Sequence, residues 1–199
     1  MTDFLIVAGI FLALGVISVY LWRQLPDDVH GDWKTFAEQM GAEFEATGTG
    51  RGEMSVTGSP FGTPMRMWTK YLLAGDSRQV QANLDVPVPG QRTDGLTIKA
   101  SMGPRKVMAR RKAEDPHAPD LPLVWKATGV DDRVIEALQA DHAVRQRMTN
   151  LLLAFPHAQV REGLVHVDAL YEFGAQTVVL VELASLLALD IARVVDETA

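Results

Sequence analysis

The chain contains no cysteine, and that one absence removes disulfides, thiolate zinc sites, iron–sulfur clusters and thiol nucleophiles together. A G-x-S-x-G nucleophile elbow, a Walker lysine loop and an H-E-x-x-H helix are missing as well. Positive charge is also in short supply. With 19 Lys and Arg against 25 Asp and Glu, the formal net charge is −6, which argues against general coating of nucleic acid. Sixteen Gly and ten Pro fall without any collagen-like period. What is present is apolar: 47% of the residues are hydrophobic and 22% charged, with a mean hydropathy of +0.04. That is enough to build a real core. A length of 199 residues corresponds to one ordinary domain with room for an appendage.

The appendage comes first. Phe4 to Trp22 reads FLIVAGIFLALGVISVYLW without a charged residue. As a helix rising about 1.5 Å per residue it would span roughly 29 Å, matching a bilayer's hydrocarbon core. Tyr20 and Trp22 stand at its C-terminal edge, where amphipathic rings settle among headgroups, and Arg23 follows. A cleaved signal peptide would need a basic start and small residues at a cleavage site. This segment has Met-Thr-Asp before it and Tyr-Leu-Trp-Arg at its end, so an uncleaved anchor is expected. Arg23 and Lys34 follow the span and no Lys or Arg precedes it. The positive-inside rule therefore puts the bulk of the chain in the cytoplasm, tethered to the inner membrane. Gly9 and Ala13 make a small-xxx-small pair that could seat a partner helix.

Residues 23–31 form a short polar linker, and 32–199 the domain. Asp32 has the chemistry of an N-cap; Trp33, Phe36, Ala37 and Met40 share one helical face, and Gly41 ends it. After Gly41 the period changes to two. Phe44 and Ala46, then Met54 and Val56, alternate with polar neighbours, and a long strand MRMWTKYLL follows the Ser59–Pro64 turn. Val80, Ala82, Leu84 and Val86 alternate with Gln79, Gln81, Asn83 and Asp85, which predicts a half-buried strand; Leu96, Ile98 and Ala100 resume the apolar face. Several strands in a row without helices imply an antiparallel sheet. Residues 111–122 carry three prolines and suit an extended loop, after which 121–128 restarts a strand. From Asp131 the period is helical, and Asp141 can cap a second helix within the stretch.

Glu162-Gly163 fits a two-residue hairpin turn, which would pair Arg161 with Leu164, Val160 with Val165 and Gln159 with His166. Ala158, Val160, Val165, Val167 and Ala169 then face the core, while His157, Gln159, Arg161, His166 and Asp168 share the other face with Leu164. The closing segment 176–195 is rich in Val, Leu and Ala. Its uncharged stretch, Leu183 to Leu189, is too short for a membrane span, so a buried core helix is expected. The fold class is α+β: an antiparallel sheet with helices packed on one face, preceded by a single N-terminal transmembrane helix.

The order of elements resembles a known pattern. A hydrophobic span is followed by WKTFAEQMGAEF (33–44), a Gly-rich turn GTGRGEMSVTG, a TGVDD stretch at 128–132 and a VREGLV hairpin at 160–165. A final Leu/Ala helix closes it. This resembles a loose group of uncharacterised single-span bacterial membrane proteins with one α+β domain. The resemblance implies that architecture, and no activity, substrate or catalytic residue.

Few residues stand out for chemistry. Gly48, Gly50 and Gly52 give G-x-G-x-G, but a dinucleotide loop must run from a strand into a helix, and EMSVTG is no helix start. No cofactor is implied. Of the five histidines only His157 and His166 fall near one another; in the proposed register His157 lies opposite Asp168. Two imidazoles and a carboxylate could hold Zn²⁺ with an open position, although an exposed polar face that happens to contain histidine is the commoner arrangement. Asp27–Asp28 and Asp131–Asp132 fall in a linker and at a helix start, where negative charge is ordinary stabilisation.

Charge is spread unevenly. Residues 50–112 hold eleven Lys and Arg against four Asp and Glu, a net of +7, whereas residues 113–199 have a net of −8. The basic peak is Arg105, Lys106, Arg110, Arg111 and Lys112. Such a cluster could meet anionic lipid headgroups or an acidic protein partner, pair with the acidic half of its own domain, or stay solvated. Nucleic acid fits it poorly, because no aromatic residue interleaves the cluster to stack on bases. The expected function is a membrane-anchored, non-catalytic interaction domain. The rival is an enzyme whose site is assembled from scattered residues, which a deep cleft with converging polar groups would favour over a flat charged face.

Overall fold

The computed structural model of the chain describes residues 31–47, 53–74, 77–90, 92–101, 124–170 and 175–198. The anchor segment 4–22, the linker up to residue 30, the glycines at 48–52 and the basic cluster 105–112 lie outside them. Residues 31–40 are helical (α1). The helix is already under way at residue 31, so Asp32 sits inside it and is not its cap. Trp33, Phe36, Ala37 and Met40 are buried, as their spacing requires. Gly41, at φ +60°, ends the helix: its N–H reaches the Glu38 carbonyl (3.2 Å) and the Ala42 N–H reaches that of Ala37 (2.8 Å). This is the Schellman arrangement, which a residue with a side chain adopts only under strain.

The strands are β1 (Glu43–Ala46), β2 (Met54–Gly58), β3 (Met65–Ala74), β4 (Ser77–Pro87), β5 (Thr97–Ala100), β6 (Trp125–Thr128), β7 (Gln159–Arg161) and β8 (Leu164–Leu170). They form one eight-stranded sheet in the order β1-β2-β3-β4-β8-β7-β5-β6, antiparallel at every pairing. The α+β class read from the periodicity is thus present. The C-terminal hairpin does not extend an edge of the sheet. It enters the middle, joining β4 on one side and β5 on the other. Its turn is as expected: Glu162 (φ 52°) and Gly163 (φ 69°) are both left-handed, which gives the tight primed turn favoured by twisted hairpins. The three predicted pairings all occur.

Alternate positions supply the core. Val56, Met67, Leu84 and Val167 lie in one transverse row of buried residues; Ala127, Ile98, Val160, Val165 and Val86 form the next. Over β4 and β8 lies α4 (Ala175–Thr198), burying Leu180, Val181, Ala184, Leu187, Ala188 and Ile191. Against α4 rest α2 (Asp132–Ala140) and α3 (His142–Ala154). Among the described residues no helix is long and apolar enough to cross a membrane.

Asp141 does two jobs between the helices. Its Oδ1 caps α3 by accepting the Val144 N–H at 2.9 Å, and its Oδ2 accepts from Arg193 of α4 at 2.7 Å. Burial alone would raise this carboxyl's pKa. The hydrogen bonds from Arg193 and Val144 outweigh burial and hold it below the usual carboxylate value. Arg147 and Asp190 form a second ion pair between the same two helices.

Candidate functional site

Where one sheet face meets the helices, the other carries the polar residues. Register fixes their neighbours. One transverse row takes a residue from each of the eight strands: Lys126, Lys99, Gln159, His166, Asp85, Arg66, Thr57 and Glu43. Beside it runs a shorter row of Asp168, Asn83, Trp68, Ser55 and Glu45. The two rows meet over β4 and β8, at the centre of the sheet.

There the face is not a solvated one. His166 is 7% exposed and Asn83 4%, despite pointing away from the helical side. The His166 ring lies between two carboxylates: Nδ1 is 2.6 Å from Asp85 Oδ1 and Nε2 is 3.0 Å from Asp168 Oδ1. The Trp68 ring stands 6.3 Å from the imidazole, tilted at 39°, and the Arg66 guanidinium lies 5.3 Å above the Trp68 ring as a cation–π contact. The hydrogen bond to Asp85 raises the His166 pKa above its ordinary 6.5, against the opposing effect of burial and with help from the Asp168 charge. Asn83 Nδ2 is buried with no partner among the described residues.

Of the three residues weighed from sequence for a zinc site, the structure brings His166 and Asp168 together and leaves His157 apart. His157 is exposed in the turn before β7, and strand pairing stops at Gln159, two residues short of it. Asp168 faces Asn83 of β4 in the register. Both His166 nitrogens already have carboxylate partners, and among the described residues no group of three histidines or carboxylates stands where it could hold a metal ion. The residue the sequence reading missed is Asp85. Alternation in β4 put it on the polar face, but only the long-range β4–β8 pairing sets it against His166.

The five basic residues Arg105, Lys106, Arg110, Arg111 and Lys112 lie outside the described residues, yet the strands that lead to them are described. β5 and β6 pair antiparallel, and a further hydrogen bond from Ser101 N–H to the Val124 carbonyl (2.8 Å) continues the ladder towards residues 102–123. On this stem Lys99 and Lys126 are directly opposed and both are exposed.

Fold and site define a protein class only broadly: an α+β domain on one antiparallel sheet, with a closed carboxylate–imidazole–carboxylate cluster on its polar face. No known protein family matches the chain, and comparison with curated proteins and with solved structures likewise finds no match.

Proposed function

We propose that this chain is a membrane-anchored, non-catalytic interaction domain of the single-span type it resembles. Residues 4–22 hold it in the inner membrane, the domain faces the cytoplasm, and Lys99 and Lys126, with the basic residues between β5 and β6, dock on anionic lipid headgroups. The observation that carries this reading is the Lys99–Lys126 pair. Like charges directly opposed across an antiparallel pair are destabilising, and these two sit at the root of a segment bearing five more cations. An anionic surface offsets that repulsion. Each Lys or Arg near such a surface contributes about 1 kcal/mol.

Vesicle capture tests the reading. Full-length protein in nanodiscs of uncharged lipid should co-sediment with vesicles containing phosphatidylglycerol and not with phosphatidylcholine alone. Replacing both Lys99 and Lys126 by Gln should weaken capture roughly thirty-fold at low ionic strength, which is about 1 kcal/mol for each charge. Gln at Lys106, Arg110 and Lys112 should act in the same direction while barely moving the melting temperature, since exposed cations contribute little to stability. Added salt should mimic both changes by screening. Equal capture by neutral vesicles would end the headgroup reading, and binding to polyglutamate alone would point to an acidic protein partner. Retention of the chain at full mass after carbonate extraction, with an inactive phosphatase reporter fused after Ala199, is the matching result for anchor and orientation.

A further inference from the structure

The cluster on the polar face has a property that headgroup docking does not use. A neutral imidazole carries one N–H, but Asp85 and Asp168 each present a carboxylate oxygen to a different ring nitrogen. Only the imidazolium donates to both. Once the second proton leaves, one carboxylate faces a bare nitrogen lone pair and is repelled. The two sides are not equivalent. Asp85 makes the shorter contact, 2.6 Å against 3.0 Å, and its side chain is 24% exposed against 38% for Asp168. The more exposed carboxylate is the more easily rehydrated, so the remaining proton stays on Nδ1 and Asp168 is the group released.

We propose that Asp85, His166 and Asp168 form a proton-operated latch on the polar face, anchored to β4 through Asp85 and opening within β8: closed when the imidazole is doubly protonated, and open, with His166 Nε2 uncovered and Asp85 still holding Nδ1–H, when it is not. The Asp85–His166 contact ties β4 to β8 in both states; closing adds the Asp168 carboxylate, which covers Nε2 from within β8. Open, the latch leaves a histidine oriented by a carboxylate and presenting a free acceptor to a hydrogen-bond donor.

The surrounding charges set where the change falls. Asp85 on β4 and Asp168 on β8 favour the imidazolium, and Arg161 on β7 opposes it. Arg66 on β3 lies opposite Asp85 in the register, and Lys99 on β5 stands one strand beyond the neutral Gln159. Because the folded state raises this histidine's pKa, the stabilisation is complete below about 6.5, its unfolded value. It is lost as pH rises through the higher folded value.

Nitrogen-15 NMR of the histidines in the full-length protein, held in detergent micelles, tests the latch, with His166→Gln used to assign the signal. His166 should titrate above the ordinary histidine value and pass to the Nδ1–H tautomer. Asp168→Asn should lower the titration and keep that tautomer; Asp85→Asn should lower it and shift the neutral form towards Nε2–H. Titration of His166 at or below the ordinary value, or a wild-type neutral form protonated on Nε2, would overturn the proposal. Should Asp85→Asn fail to fold, the wild-type tautomer and the more exposed Asp168→Asn still decide.

Discussion

Alanine at position 129 is expected to lower the melting temperature by about 6–12 °C, from a loss of about 3 kcal/mol. Gly129 has φ +90° and Gly95 φ +91°, and their backbones cross with almost no space between them. A Cβ on Gly129 would run into the Gly95 carbonyl oxygen, and that obstacle is main chain, which has no rotamer to move to. Both glycines flank the β5–β6 pair, so relief would have to come from shifting strand ends. Gly62→Ala is the control. It shares the positive φ (+77°) but has open space around the new methyl, and should cost only about 1 kcal/mol. Thermal unfolding of the two variants by circular dichroism separates the terms. Equal losses would show that the close approach contributes nothing beyond backbone conformation.

Trp125→Ala is expected to cost about 3–5 kcal/mol, the range for truncating a large buried aromatic. Among the described residues Trp125 belongs to the edge strand, β6, yet it is 1% exposed. An edge strand has one neighbour to hold it, so its attachment leans on this side chain. Trp125→Phe distinguishes packing from polarity. The indole N–H is buried without a partner among the described residues, so phenylalanine removes no hydrogen bond and keeps most of the apolar area. Its denaturant midpoint should stay near that of the parent. If phenylalanine were as harmful as alanine, the ring's outline, and not its burial, would be what β6 requires.

Local signals in the sequence carried far. Asp141 as a cap, Gly41 as a stop and Glu162-Gly163 as a turn each act within four or five residues, and all three are found in those roles. Alternation in β4 and β8 put Ala82, Leu84, Val86, Val165 and Val167 on the core face, and all five are buried. Asp32 failed as a cap because helix α1 is already formed one residue earlier. The larger miss was topological. Nothing in the residues of β8 states that it pairs with β4, which precedes it by some eighty positions in the Asp85–His166 contact. That pairing is decided by which strands complete the core together, and it is what creates the buried imidazole. A period-two pattern reports which face a residue takes, and the neighbouring strand then determines whether that face stays wet.

The strand order also dictates when the domain can exist. On emerging from synthesis, β1 to β4 can pair as a meander, and β5 can pair with β6, because each of those contacts lies behind the growing end. The two pieces have no direct seam. They are joined by β7 and β8, and α4, which covers β4 and β8, comes later still. Until residue 170 has been made, β4 and β5 therefore both present open edges, the geometry that recruits strands from other chains. A protein truncated between the end of β8 and the start of α4 would have its sheet zipped but its central strands bare of the helix that covers them.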